Sequence, residues 1–506
     1  MAIQGKINSK QLKTIIDSAR KIMRKDKGLN GDLDRLPMLT WIMFLKLLDD
    51  MDKVAETEAT LAGQSYEPVI EEPYRWRDWA SDEDGITGDE LIAFVNQEKT
   101  IRPDGTEGLG LLAYLKSLNH DGKSRKDVIG NIFSGTVNRM INGYLLRDVI
   151  NKINEIHFDS TEELNLLGTI YETMLKEMRD AAGDSGEFYT PRPVVKFMVK
   201  MTNPQLNETV LDPACGTGGF LTETFSHLQA QCNTVKDFNT LQTKSIYGQE
   251  AKPLPYLLSQ MNLILHGLEY PQIVFGNTLG KKISEIGDSE RVDIILTNPP
   301  FGGEEEEGIK GNFPADMQTA ETALLFLQYI IRKIRRFDGK KFGRSAVVVP
   351  DGFLFGTGVC EKIKQKLVDE LNLHTIVRLP FGVFEPYTPI RSNILFFDNR
   401  PNQQGGTWFY EVPIADGRKK YSKTKPILFS EFSECIDWWN NRTENEYAWF
   451  VSNEDLAARN YDFAIKNPNA VIAIDERDTK AVFATMQQSS DKITELLKEI
   501  EQIIGG

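Results

Sequence analysis

Two hydrophobic periods divide this chain. From residue 7 to about 182 the apolar positions recur at helical spacing, as in Leu39-Thr40-Trp41-Ile42-Met43-Phe44-Leu45-Lys46-Leu47-Leu48 and again from Glu162 to Met178. The polar, glycine-bearing break Ala182-Gly183-Asp184-Ser185-Gly186 closes that part. From 187 to about 400, short apolar runs at 209–212, 245–249, 272–276, 292–297, 345–349, 374–379 and 392–398 alternate with helical stretches. This pattern predicts an α/β fold with seven strands in a doubly wound, mostly parallel sheet. After Arg400-Pro401-Asn402-Gln403-Gln404-Gly405-Gly406 the alternation weakens. The chain then ends on an amphipathic helix with apolar residues at 493, 496, 497, 500, 503 and 504. The expected organisation is an N-terminal helical domain (1–182), a catalytic core (183–400), an extension of that core (401–470) and a helical tail for subunit docking (471–506).

Composition narrows the class. At 506 residues, two or three domains with ample cores are expected. Four cysteines, at 215, 232, 360 and 435, form no C-x-x-C pair and no metal-ligand spacing, so neither a metal site nor a disulfide framework is expected. No apolar run approaches a membrane span and no leader follows Met1, which points to a cytoplasmic protein with reduced thiols. Net charge is −14. Two basic clusters stand against it, Arg332, Lys333, Arg335, Arg336, Lys340, Lys341 and Arg344, then Arg418, Lys419, Lys420, Lys423 and Lys425; each reads first as a solvated face. The aromatic stretch Tyr74-Arg75-Trp76-Arg77-Asp78-Trp79 reads as a packed loop. Glu304-Glu305-Glu306-Glu307, flanked by glycines, reads as a mobile solvated loop without chemistry.

Four motifs fall at the ends of predicted strands. Leu211-Asp212-Pro213-Ala214-Cys215-Gly216-Thr217-Gly218-Gly219-Phe220 looks like a strand, a glycine turn and a helix start. Its glycines at 216, 218 and 219 permit close approach of a ligand, and Asp212 lies at the strand's carboxyl end. No G-x-x-x-x-G-K-[ST] occurs, which disfavours a nucleotide-triphosphate motor and leaves a dinucleotide enzyme open. Ser245-Ile246-Tyr247-Gly248-Gln249-Glu250 ends in an acid suited to ribose hydroxyls. Ile273-Val274-Phe275-Gly276-Asn277-Thr278 ends in a polar tip that could meet an adenine edge. The fourth, Asn298-Pro299-Pro300-Phe301, is an ordinary strand exit by itself. After the other three it reads as a wall of acceptors with an aromatic lid: the prolines bring no N–H, and Phe301 offers a stacking face. Such a wall suits a group with two hydrogens to give, an exocyclic amine on a flat ring.

This ordered set resembles the S-adenosyl-L-methionine-dependent amino-methyltransferases. With Gly186-Glu187-Phe188-Tyr189-Thr190-Pro191-Arg192-Pro193 and Arg459-Asn460-Tyr461-Asp462 it is most similar to the modification (M) subunits of type I restriction-modification systems, the N6-adenine DNA methylases. The resemblance spans most of the chain. It implies a methyltransferase fold with Ser392–Phe397 as its antiparallel edge strand. It implies catalysis at Asn298, Pro299, Pro300 and Phe301, and cofactor contacts from Glu187, Phe188, Tyr189, Thr190, Pro191 and Arg192, from the turn with Asp212, Gly216, Thr217, Gly218 and Gly219, and from Glu250 and Asn277. Many amino-methyltransferases carry Asp where this chain has Asn277. It implies Phe384 or Tyr387 as holders of a flipped base, with core packing the competing role. The implied partners are double-stranded DNA, a specificity subunit, a second copy of the chain and a restriction or translocase subunit. The terminal helix would dock on its own chain or on the specificity subunit. Competing readings are methylation of cytosine N4 or of a protein glutamine, and a non-catalytic scaffold that binds cofactor or DNA. Cleavage is not expected from this chain.

Overall fold

The computed structural model describes residues 9–118, 124–157, 190–385, 388–401, 404–414, 418, 420–422, 424–470 and 479–504. The N-terminal part is built on the 30-residue helix Asp32–Leu61, in which nearly every position from Leu36 to Asp52 is buried. A helix buried all round must neutralise its own charges. Lys46 pairs with Asp50, and Asp49 takes Lys53 at 2.8 Å and Arg77 at 2.7 Å. The helices Ser9–Met23, Gly88–Asn96, Leu111–Ser117, Arg125–Ser134 and Gly143–Asn154 share its core. A short antiparallel hairpin, β1 (Lys99–Ile101) and β2 (Glu107–Leu109), interrupts what the sequence predicts as helix throughout. Tyr74, Trp76 and Trp79 are buried, and Tyr74 stacks on Tyr114 at 3.9 Å between ring centres, as the packed-loop reading expects. The predicted helix from Glu162 to Met178 lies outside the described residues.

All seven predicted strands form within two residues of their expected ends: β3 (Val210–Asp212), β4 (Ile246–Glu250), β5 (Gln272–Phe275), β6 (Ile294–Thr297), β7 (Arg344–Pro350), β8 (Asn372–Arg378) and β9 (Ser392–Asp398). Two further strands, β10 (Gly406–Glu411) and β11 (Ala448–Ser452), extend the same sheet to nine, in the order β11-β10-β8-β9-β7-β6-β3-β4-β5. β9 is antiparallel to both neighbours and β11 to β10; every other pairing is parallel. The expected edge position of Ser392–Phe397 is therefore corrected. β9 is inserted between β7 and β8, and all seven of its residues are buried. A continuous apolar run suits a strand covered on both faces, not an edge.

Alternation along the central strands splits their side chains between two cores. Ile294, Leu296, Ala346, Val348, Ile394 and Phe396 face one, with the helix Arg192–Thr202. Ile295, Val347, Val349, Leu395 and Phe397 face the other, with Thr322–Lys333 and Val359–Asp369. The second core also takes Phe409, Trp449, Val451, Leu456 and Phe463, so the extension beyond residue 400 is packed onto the sheet. The helix Pro253–Leu265 is buried from Pro255 onward. Leu257, Leu258, Met261, Ile264 and Leu265 enter the N-terminal core, while Tyr256 and Leu263 pack beneath β4. One helix thus joins the N-terminal part to the strands that carry the glycine turn.

Candidate active site

The predicted site residues that are described gather at the carboxyl ends of β3 to β6, where an open α/β sheet binds ligands. After β3 the chain turns at Gly216 (φ 54°) and Gly218 (φ 80°) into the helix Gly219–Gln229. Both dihedrals favour glycine. A Cβ at Gly218 would also stand 3.3 Å from the Ser259 side chain and 3.4 Å from its Cα, so the turn is pressed against the helix Pro253–Leu265. Asn262 of that helix donates from Nδ2 to the Thr217 carbonyl at 2.9 Å and fixes the turn from below. Sequence reasoning missed Asn262; its signal was the short polar interruption Ser259, Gln260 and Asn262 within an apolar helical run.

Two buried acids flank this turn. Asp212 accepts from Thr297 Oγ1 at 2.7 Å and from the Ala214 N–H at 3.1 Å, which ties the end of β3 to the residue before Asn298. Burial raises its carboxyl to about 7 even though both hydrogen bonds pull the other way. Glu250, at the end of β4, accepts from the Gly216 N–H at 2.9 Å on one oxygen and from the Lys252 N–H at 2.8 Å on the other; burial raises its pKa as well. Each carboxylate oxygen of Glu250 keeps acceptor capacity beyond the bond it makes.

Asn298 follows β6 directly. Its Nδ2 donates to Thr190 Oγ1 at 3.1 Å, while its Oδ1 is buried with no hydrogen-bond partner among the described residues. An orphaned buried acceptor costs about 1–3 kcal/mol, so an incoming donor is favoured there. Pro299 is buried, Pro300 and Phe301 are half-buried. Phe301 meets the edge of Phe384 at 6.2 Å between ring centres; Phe384 is itself buried in the core, which is its competing role. Tyr387 lies outside the described residues, as do Glu187, Phe188 and Tyr189. Thr190 and Pro191 lead into the helix Arg192–Thr202. Arg192 donates to the Gly219 carbonyl at 2.8 Å and to Thr222 Oγ1 at 3.0 Å, so it braces the glycine-turn helix.

Asn277, beyond β5, is exposed. Its Oδ1 accepts from the Leu279 N–H at 2.9 Å and its Nδ2 donates to Glu305 Oε2 at 3.3 Å. The acidic loop is accordingly not the untethered segment its sequence suggests. The Glu305 N–H donates to the Ala320 carbonyl at 2.9 Å, its carboxylate also accepts from Thr322 Oγ1 at 3.2 Å, and Glu304 bridges to Glu321. Glu304, Glu306 and Glu307 are exposed; Glu305 is half-buried.

The first basic cluster stands at the other end of the sheet, and the second lies against the 381–385 segment that carries Phe384. Arg335 pairs with Asp293, and Arg344 with Glu208 at 2.7 Å, at the amino-terminal ends of β6 and β7, opposite Asn298. Lys420 pairs with Glu385 at 2.8 Å; Lys419 and Lys423 lie outside the described residues. No group of three or more metal-ligating side chains occurs among the described residues.

Glycine turn, paired acids and an Asn-Pro-Pro-Phe wall on one edge of a sheet with an inserted antiparallel strand define an amino-methyltransferase. Comparison with known proteins agrees. Residues 162–477 match the family described as N-6 DNA Methylase, and residues 12–153 match the HsdM N-terminal domain. The chain is 47% identical to the type I restriction enzyme EcoEI methylase subunit of Escherichia coli over 98% of either chain. It superposes with a TM-score of 0.86 on the crystal structure of a modification subunit from Vibrio vulnificus YJ016, at 59% identity, covering 94% of this chain and 100% of that one. A chain from a structure of a type I restriction-modification system matches with a TM-score of 0.77 at 35% identity, over 99% of both. The chain belongs to the N-6 DNA methylases and, within them, to the methylase subunits of type I restriction enzymes. It is an adenine-specific DNA methyltransferase.

Proposed function

We propose that this chain methylates N6 of an adenine flipped out of duplex DNA, using S-adenosyl-L-methionine held on the glycine turn, with Asn298, Pro299, Pro300 and Phe301 as the catalytic residues. The observation that carries this reading is the buried, unpartnered Oδ1 of Asn298 at the end of β6. The turn fits the cofactor: Gly216 and Gly218 hold the positive φ that bares its backbone to a ligand, and Glu250 retains acceptor capacity for a ribose. Bound there, S-adenosyl-L-methionine supplies an electrophilic methyl group on a cationic sulfonium.

The rest falls to the chain. Adenine N6 is a poor nucleophile because its lone pair is delocalised into the ring. Asn298 Oδ1 and the Pro299 carbonyl accept its two hydrogens, and these bonds strengthen as N6 becomes cationic in the transition state, which is the interaction that raises rate. Phe301 stacks on the extruded base and offsets part of an extrusion cost of a few kcal/mol. Holding N6 against the methyl turns an encounter into an oriented step, so no strong base is needed. Pro191, Arg192, Asp212, Gly216, Thr217, Gly218, Gly219, Glu250 and Asn277 form the cofactor side, with Glu187, Phe188 and Tyr189 completing it, while the Thr190 hydroxyl serves Asn298.

The terminal helix supports the subunit reading. Thr479–Ile504 leaves Phe483, Met486, Ile493, Leu496, Leu497 and Ile500 exposed, a stripe at 3–4-residue spacing that the described residues do not cover. We assign it to docking on a specificity subunit, with DNA, a second copy of this chain and a restriction or translocase subunit as the remaining partners. The division at residues 182, 400 and 470 belongs to this reading. Free cysteines at 215, 232, 360 and 435, and no described helix long and apolar enough to cross a membrane, support a cytoplasmic setting.

The test is Asn298→Ala in the assembled complex with its DNA. Methyl transfer to adenine is expected to be lost while cofactor affinity stays within a few fold; retained transfer would refute the assignment.

A further inference from the structure

We propose that Glu305 reads the 6-amino group of the cofactor's own adenine, supplying from the loop after the catalytic motif the carboxylate that Asn277 lacks. This inference rests on the placement of the cofactor given above.

Ribose hydroxyls on Glu250 put the attached base toward β5, the strand next to β4. Glu250 stands in register with Phe275, and the Gly276 N–H donates to the Glu250 carbonyl at 2.9 Å, so Asn277 is the next polar side chain along that path. Asn277 offers an amine only a neutral amide oxygen, one lone pair of which already accepts from the Leu279 N–H, and its other amide atom is a donor. That donor is turned to Glu305 Oε2 at 3.3 Å. Beside Asn277 on that path therefore stands a carboxylate reaching in from 28 residues downstream.

Glu305 is fixed there by more than this contact. Its N–H donates to the Ala320 carbonyl and its Oε1 accepts from Thr322 Oγ1 at 3.2 Å, at the start of the helix Thr322–Lys333. Among four consecutive glutamates it is the one drawn inward. A carboxylate held on two sides and carrying spare lone pairs is a ready acceptor for an N–H of a neutral amine, and such charge-assisted bonds are the stronger kind.

The placement also couples two events. Glu305 lies four residues beyond Phe301, on the loop that leaves the Asn-Pro-Pro-Phe wall. A bond from the cofactor's amine to Glu305 steadies that loop before the target base arrives, so cofactor and target adenine favour each other's binding.

Binding of S-adenosylhomocysteine and of its purine counterpart lacking the 6-amino group, measured by calorimetry on the full chain, tests this. The unaltered chain should prefer the amino form by about ten- to a hundred-fold, the range of a hydrogen bond to a charged acceptor. Glu305→Ala should weaken the amino form until the two bind alike, leaving the purine form within about two-fold, and Glu305→Gln should keep an intermediate preference. Glu250→Ala should weaken both ligands equally. Undiminished preference in Glu305→Ala, or equal weakening of both ligands, overturns the role of Glu305 while leaving the cofactor site standing. Failure of the unaltered chain to bind either ligand overturns the cofactor placement and this inference with it.

Discussion

Asn298 can serve as an acceptor only if its amide is held one way round. Thr190 Oγ1 stands 3.1 Å from Nδ2 and accepts from it, leaving Oδ1 free. From sequence, Thr190 read as a cofactor contact; the structure gives its hydroxyl to the Asn298 amide, a pairing across 108 positions that no local pattern announces. Thr190→Val should therefore lower the single-turnover rate about tenfold, the worth of one hydrogen bond, with cofactor affinity nearly unchanged and Thr190→Ser restoring most of the rate. An effect confined to cofactor affinity would return Thr190 to its first role. Asp212 carries a second consequence. Its carboxyl is raised from 3.8 to about 7 by burial, so the folded chain keeps a proton that the unfolded chain releases. The group favours folding below about pH 4 and loses that contribution as pH rises to about 7. Asparagine cannot ionise. Melting temperatures of Asp212→Asn and the unaltered chain should diverge in favour of the variant across that window and run parallel above it; a pH-independent difference would contradict the burial argument.

The terminal helix Thr479–Ile504 shows apolar residues to water that no described part of the chain covers. Leu497→Asp and Ile493→Asp should release the specificity subunit in size-exclusion chromatography without altering cofactor affinity; retained association would move the docking site elsewhere. This helix was legible because its stripe recurs without interruption by turn residues from 493 onward. The seven strands β3 to β9 were legible for the same reason, and so was the glycine turn. What pattern cannot carry is pairing. β9 and a true edge strand differ in neighbours, not in local sequence, although its unbroken apolar run was a signal for burial on both faces. β10 and β11 escaped notice because 36 residues without clear alternation separate Glu411 from Ala448. The β1–β2 hairpin is short and largely exposed, with no apolar period to betray it. Glu305 hid in a run of four like charges, where composition predicts solvation and only tertiary contacts single one out.

The molecule as a whole is acidic, at −14, yet it belongs to enzymes of DNA. Neutralising phosphate dominates affinity for a duplex. Arg335, Arg344 and Lys420 are each paired, with Asp293, Glu208 and Glu385, and the first two lie at the sheet edge opposite Asn298. The proposed site is confined to the carboxyl edge of β3 to β6, and on the proposed docking of the exposed terminal stripe a partner subunit would share the grip on DNA. The helix Pro253–Leu265, packed into both halves, makes the N-terminal part a fixed wall beside the cofactor turn. All of this depends on what meets Asn298. A structure of the assembled complex with a stable cofactor analogue and its DNA would decide it. The adenine N6 should lie about 3 Å from both Asn298 Oδ1 and the Pro299 carbonyl, with its ring on Phe301. An adenine left in the helix stack, or an Asn298 amide turned away from N6 in that complex, would contradict the account.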